Sequence, residues 1–122
     1  MRILIEQILS CEKVIFSSEF GKGISVFKGN DTKCKKYDVE IDIEDNLFWG
    51  QSIKQSNQKL PLISMNAGID NFVGILESID ADGYCVLRMG NSIIPFWADG
   101  NAFEIGSMIE LRVKNVIMTP YD

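Results

Sequence analysis

"NFVGILESIDADGYCVLRMGNSIIPFWA", residues 71–98, is the stretch on which the fold turns. It holds three β-like runs, "NFVGILESI", "YCVLRM" and "SIIPFWA", separated by "DADG" at 80–83 and by Gly90 and Asn91. Those breaks carry residues that tolerate positive φ in tight turns, so the runs read as consecutive antiparallel strands. A fourth run, "SMIELRVKNVIM" at 107–118, follows Gly100 and Gly106 and reads as one long final strand of the same meander. Gly74, Pro95 and the length of that run predict bulges or bends that help a sheet curl.

Working toward the N-terminus, "YDVEIDIED" at 37–45 alternates strictly. A side-chain period of two sends Tyr37, Val39, Ile41 and Ile43 toward a core and lines up Asp38, Glu40, Asp42 and Glu44 on the other face. Before it, "MRILIEQILSCEKVIF" fits neither period cleanly and reads as strand, because the β-branched "KVIF" runs on without a helix stop into a turn at "FGKG". "ISVFKG" is a short strand closed by Gly29, and the polar "NDTKCKK" is a turn whose Lys33, Lys35 and Lys36 are placed to fold back beside the acidic strand. Residues 46–70 are the least periodic part of the chain and read as a long loop with at most one short helical or extended piece, either functional or a crossover between two halves of a barrel.

The expected architecture is therefore all-β, a small antiparallel barrel or sandwich of the OB-like or SH3-like kind, with about seven strands and little helix. With 122 residues and 46% hydrophobic composition, the chain is expected to form a single domain over residues 1–122 with a core that needs no metal or disulfide. No internal repeat or low-complexity tract interrupts it.

Composition limits function. The net charge of −5 disfavours nonspecific contact with nucleic acid or anionic membrane, both of which need cations, and favours a cationic partner. The aromatics that an OB barrel would stack on bases are available, but only Arg88, Arg112 and Lys114 punctuate the second half, so the basic groove is missing. With no histidine in the chain, the commonest general base is absent, and no nucleophile motif, phosphate-binding glycine loop or metal signature replaces it. A non-catalytic protein without a cofactor is expected.

Cys11, Cys34 and Cys85 lie far apart without metal spacing and read as reduced thiols of a cytoplasmic protein. "ILSC" superficially matches a lipoprotein processing box, but the segment before it is short and Glu6 breaks its apolar run. No run reaches membrane-spanning length.

Two acidic clusters invite a metal reading. Asp80, Asp82 and Gly83 suggest a calcium loop, yet Tyr84 and Asn91 occupy later ligand positions, and a tight hairpin turn explains the residues better. Side chains on the acidic strand diverge too much to close a coordination shell without loop carbonyls. Its carboxylates read either as a solvated outer face that protects an edge strand from aggregation, or as a surface for a basic partner. Phe48, Trp49 and Gly50 follow directly, and Trp49 there is either a binding anchor or a core plug. The same choice covers Phe96 and Trp97, which face opposite ways on one strand.

The closing "FEIGSMIELRVKNVIMTPYD", a glycine before a long alternating strand and a Pro-Tyr-acid end, resembles small bacterial immunity proteins of polymorphic-toxin and contact-dependent growth inhibition systems. The resemblance covers roughly the last third of the chain and carries no catalytic residues over. It implies binding of a cognate toxin domain in the cytoplasm and blockage of its active site. A basic nuclease domain is the toxin that a row of carboxylates would complement, which makes Asp38, Glu40, Asp42, Glu44 and Asp45 the expected charge partners. Trp49 and Tyr37 are the expected aromatic contacts, with Asp80 and Asp82 at a hairpin tip in second rank.

Overall fold

The computed structural model describes residues 1–10, 12–29 and 36–121. Cys11, Cys34, Lys33 and Lys35, with whatever the lysines do to the acidic strand, lie outside the described residues. Within them the chain forms twelve strands and no helix. The all-β barrel expected from the sequence is what is found, built from more and shorter strands than the seven anticipated.

Five strands close a barrel. β1 (Arg2–Ile8), β2 (Lys13–Ser18) and β3 (Gly21–Phe27) form an antiparallel meander, β12 (Val116–Pro120) runs parallel to β3, and β4 (Lys36–Ile43) lies antiparallel between β12 and β1. This order, 1-2-3-12-4, is that of an OB-like barrel. Its strands alternate because one face is core: Ile3, Ile5, Val14, Phe16, Phe27, Val39, Ile41, Ile43, Val116 and Met118 are all buried.

Between β4 and β12, all strands but one form a second, curled part of the same hydrogen-bonded sheet. Its order is β6 (Ile53–Gln55), β11 (Met108–Val113), β8 (Ile69–Ile79), β9 (Tyr84–Met89), β10 (Ser92–Asp99) and β5 (Asn46–Phe48). The two outer strands, β5 and β6, are consecutive in the chain and meet through a Trp49–Ile53 bridge. β7 (Leu62–Asn66) joins the halves, pairing with β8 and, at Ile63, with Gly21 of β3. Backbone approach is so close there that a Cβ on Gly21 would sit 1.9 Å from the Ile63 carbonyl oxygen. The buried side chains of both halves form one continuous cluster.

Four expectations need correction. Residues 46–70 are not a loop: they contain β5, β6 and β7, whose two outer strands of three residues each pair with distant strands and so leave no local periodic signal. The final run is not one strand. Ile109, Leu111 and Val113 fill the curled sheet and Val116 and Met118 fill the barrel, and Lys114 and Asn115 carry the chain from one to the other. The pairing is also not wholly antiparallel, since β3–β12, β3–β7 and β5–β10 are parallel. The expected turn at "FGKG" shifts slightly, with Glu19 and Phe20 turning and β3 beginning at Gly21.

Candidate protein-interaction surface

The acidic row exists as the alternation predicts. Val39, Ile41 and Ile43 are buried, and Asp38, Glu40 and Asp42 take the outer positions of β4. β4 has neighbours on both edges, β1 over its first residues and β12 over the rest, so it is no edge strand and edge protection does not account for its charge.

The carboxylates are not equivalent. Asp38 lies opposite Arg2, which donates to both its oxygens, Nε to Oδ1 and Nη2 to Oδ2, each at 3.0 Å. That hydrogen-bonded Arg2 guanidinium holds the Asp38 carboxyl below the usual carboxylate range. Asp45 is occupied too: its two oxygens accept the backbone N–H groups of Lys114, at 2.9 Å, and Asn115, at 2.7 Å, which fixes the crossing between β11 and β12. The Glu44 N–H donates to the Asn115 carbonyl at the same crossing, and its side chain lines a small cavity of about 60 Å³ with Lys13 and Lys114. Glu40 and Asp42 have the neutral Thr119 and Ile117 opposite them on β12 and form no ion pair among the described residues. The outward charge that remains is therefore that of the exposed Glu40 and Glu44 and the half-buried Asp42.

The two aromatics first singled out serve the interior. The Tyr37 ring lies 4.8 Å from Phe27 and is half-buried. Trp49 meets Phe103 edge-on at 5.1 Å and Phe96 at 6.3 Å, and its backbone N–H donates to the Asp99 carbonyl, so the ring plugs the end of the curled sheet beside Phe48, which is exposed. Asp80 makes the hairpin turn, its Oδ1 accepting the N–H groups of Asp82 and Tyr84, while Asp82 is exposed at the tip.

Alternation on β10 settles the Phe96 and Trp97 pair: Phe96 is 1% exposed and Trp97 49%. The Trp97 ring packs against that of Tyr84, its register partner on β9, with centroids 5.0 Å apart and the planes tilted by 58°. Tyr84, Val86, Ile93 and Pro95 then continue an apolar ledge along the outer face of β9 and β10. That ledge borders β4 across a groove of about 380 Å³ that is also lined by Glu40 and Tyr121. Sequence reading did not bring these residues to the acidic strand. The period-two pattern of "SIIPFWA" marks Ile93, Pro95 and Trp97 as outward, but nothing local says that β10 lies beside β4.

Cations gather elsewhere. Two overlapping depressions of about 430 and 420 Å³ are lined by Gln51, Ser52, Ile69 and Arg112, with Lys54 in one and Lys114 in the other. Among the described residues no aromatic side chain lines either, whereas a single-strand-binding groove combines cations with stacking rings. Cys85 is buried, which pushes its thiol up to about 11 and away from the reactive thiolate. Among the described residues, no three Cys, Asp or Glu groups come together to hold a metal ion, and no helix is long and apolar enough to cross a membrane. Compared with known proteins, the chain matches no protein-family model, no curated protein and no solved structure.

Proposed function

We propose that this protein is an immunity factor that binds the catalytic domain of a cationic toxin, of the nuclease class, in the cytoplasm and blocks its active site without doing chemistry itself. The observation that carries the reading is the juxtaposition of Glu40, which forms no ion pair among the described residues and sits on a strand held in a barrel wall, with Tyr84, the groove-lining member of the exposed Tyr84–Trp97 pair. Aromatic anchors bordered by charge are the anatomy of a protein interface: the rings supply desolvated area and slow release, and the carboxylates speed capture of a basic cleft. A nuclease cleft is basic because it must bind phosphate, which gives it the charge this surface lacks.

The test is capture of the neighbouring gene's product, and of basic proteins from the source lysate, by immobilised protein at low and moderate salt. Recovery of a basic domain whose catalytic activity is lost on binding, with affinity that falls as salt rises and falls again in Asp42→Lys, supports the proposal. Retention of an oligonucleotide instead, through Arg112 and Lys114, would overturn it.

A further inference from the structure

The groove beside β4 has a chemistry more specific than a charged patch. β1 pairs with β4 as far as Asp38, and the Met1 and Val39 backbones exchange two further hydrogen bonds, after which β12 alone pairs with β4. On the facing side, β10 pairs with β9 along Ser92–Trp97 and with β5 only from Trp97 onward. The groove lies between these two stretches of strand. Pro95, with no N–H group, stands in its β10 wall, which makes the wall a poor template for an added strand and leaves recognition to side chains.

Those side chains are a carboxylate, Glu40, two phenol rings, Tyr84 and Tyr121, and the aliphatic Val86, Ile93 and Pro95. Among the described residues no lysine or arginine lines the groove; the cation there is the Met1 ammonium, which is engaged by the Val39 carbonyl, to which it donates at 3.0 Å. A carboxylate beside aromatic faces and an apolar wall is complementary to one kind of side chain, a planar cation on an aliphatic stem. Arginine meets all three demands, pairing with Glu40, stacking on a tyrosine ring and laying its methylenes along Ile93 and Pro95, whereas lysine offers no plane to stack.

We propose that this groove seats an arginine side chain projected by the basic partner, and so sets specificity where the outer carboxylates supply attraction. The proposal deepens, and rests on, the reading of the protein as a binder of a basic domain. Its test uses the whole chain, labelled with nitrogen-15 and titrated with the peptide acetyl-GLRLG-amide and with the same peptide carrying citrulline, a neutral isostere, in place of arginine. Saturable shifts are expected for the amides of Glu40, Tyr84, Ile93 and Tyr121, with citrulline weakening binding by about fivefold or more. Glu40→Gln removes that preference, and Tyr84→Ala, whose spectrum reports whether it folds, weakens the arginine peptide.

Equal binding of the two peptides, shifts confined to other surfaces, or shifts that follow protein concentration alone, the sign of a second copy in the groove, would each overturn the proposal. The functional reading fails separately. If Asp42→Lys abolishes capture of a basic domain and Glu40→Gln with Tyr84→Ala does not, the arginine seat is wrong and the inhibitor reading stands. If the peptide binds as described and no basic domain is captured, the reverse holds.

Discussion

Asp70 offers the most direct test of how the two halves are held together. It is the second residue of β8, is 1% exposed, and reaches out of the curled sheet to the barrel, where its Oδ1 accepts the Ile24 N–H at 2.8 Å. Its other oxygen is buried and has no hydrogen-bond partner among the described residues. Burial pushes the carboxyl up to about 7, against the pull of the Ile24 N–H and of Lys13, the charged group facing it from β2. Because the folded value lies above the unfolded one of 3.8, the associated stability is fully present below about pH 4, is lost progressively up to about pH 7, and is absent above that.

Asp70→Asn keeps an oxygen for Ile24 and removes the ionisation. Integrating the proton linkage from pH 5 to pH 8 makes the variant more stable relative to the parent by about 2.5 kcal/mol at the upper end, whatever constant offset the buried amide introduces. That is a sizeable share of the roughly 5–15 kcal/mol that holds a domain folded. The assay is urea unfolding of both proteins at pH 5, 6, 7 and 8. Taking the difference between them cancels carboxylates common to both, including Asp38, whose depressed value acts in the opposite sense by losing stability as pH falls. A difference that stays constant from pH 5 to pH 8 would refute the assignment of a neutral acid at this site.

Two further changes probe turns. Ala67 and Gly68 both have positive φ in the two-residue hairpin between β7 and β8, and Ala67, at 53°, is the one non-glycine residue so placed among those described. Ala67→Asn, creating the pair such turns favour, is expected to raise stability by about 0.5–1 kcal/mol in thermal and chemical unfolding, and no gain would show that the backbone there is not strained. Asp45→Ala removes the acceptor for two backbone N–H groups at the β11–β12 crossing and is expected to cost about 1–2 kcal/mol of stability without altering the salt dependence of partner capture. A variant of full stability with weakened capture would return Asp45 to the interface.

Much of the fold was legible because local pattern and burial agree. The alternation in "YDVEIDI" and "YCVLRM" gives the same inward set that the structure buries, since a strand with one face on a core can place its apolar residues only that way. The hairpin at "DADG" was legible for the same kind of reason: Asp80 binds the turn's own N–H groups, a contact made within five residues. β5 and β6 were not legible. At three residues each they become strands only where the edges of β10 and β11 accept them, partners some 50 residues away. The break at Lys114 and Asn115 was hidden likewise, because apolar alternation continues on both sides of it and only Asp45 and the divergence of two cores set the corner.

The candidate site divides along the same line. Period two alone was enough to show that carboxylates share one face of one strand and that one of Phe96 and Trp97 points outward, because alternation is a property of the chain. Which carboxylates lack an ion pair among the described residues depended on tertiary structure, which set Arg2 against Asp38 and the 114–115 backbone against Asp45 and left Glu40 and Glu44 exposed and Asp42 half-buried. The same structure turned Trp49 inward and brought Tyr84, Ile93 and Pro95 to the acidic strand. Those pairings join residues 36 to 70 positions apart, and no local interaction selects between them and their alternatives: the closing of the barrel and the docking of β10 on β4 do.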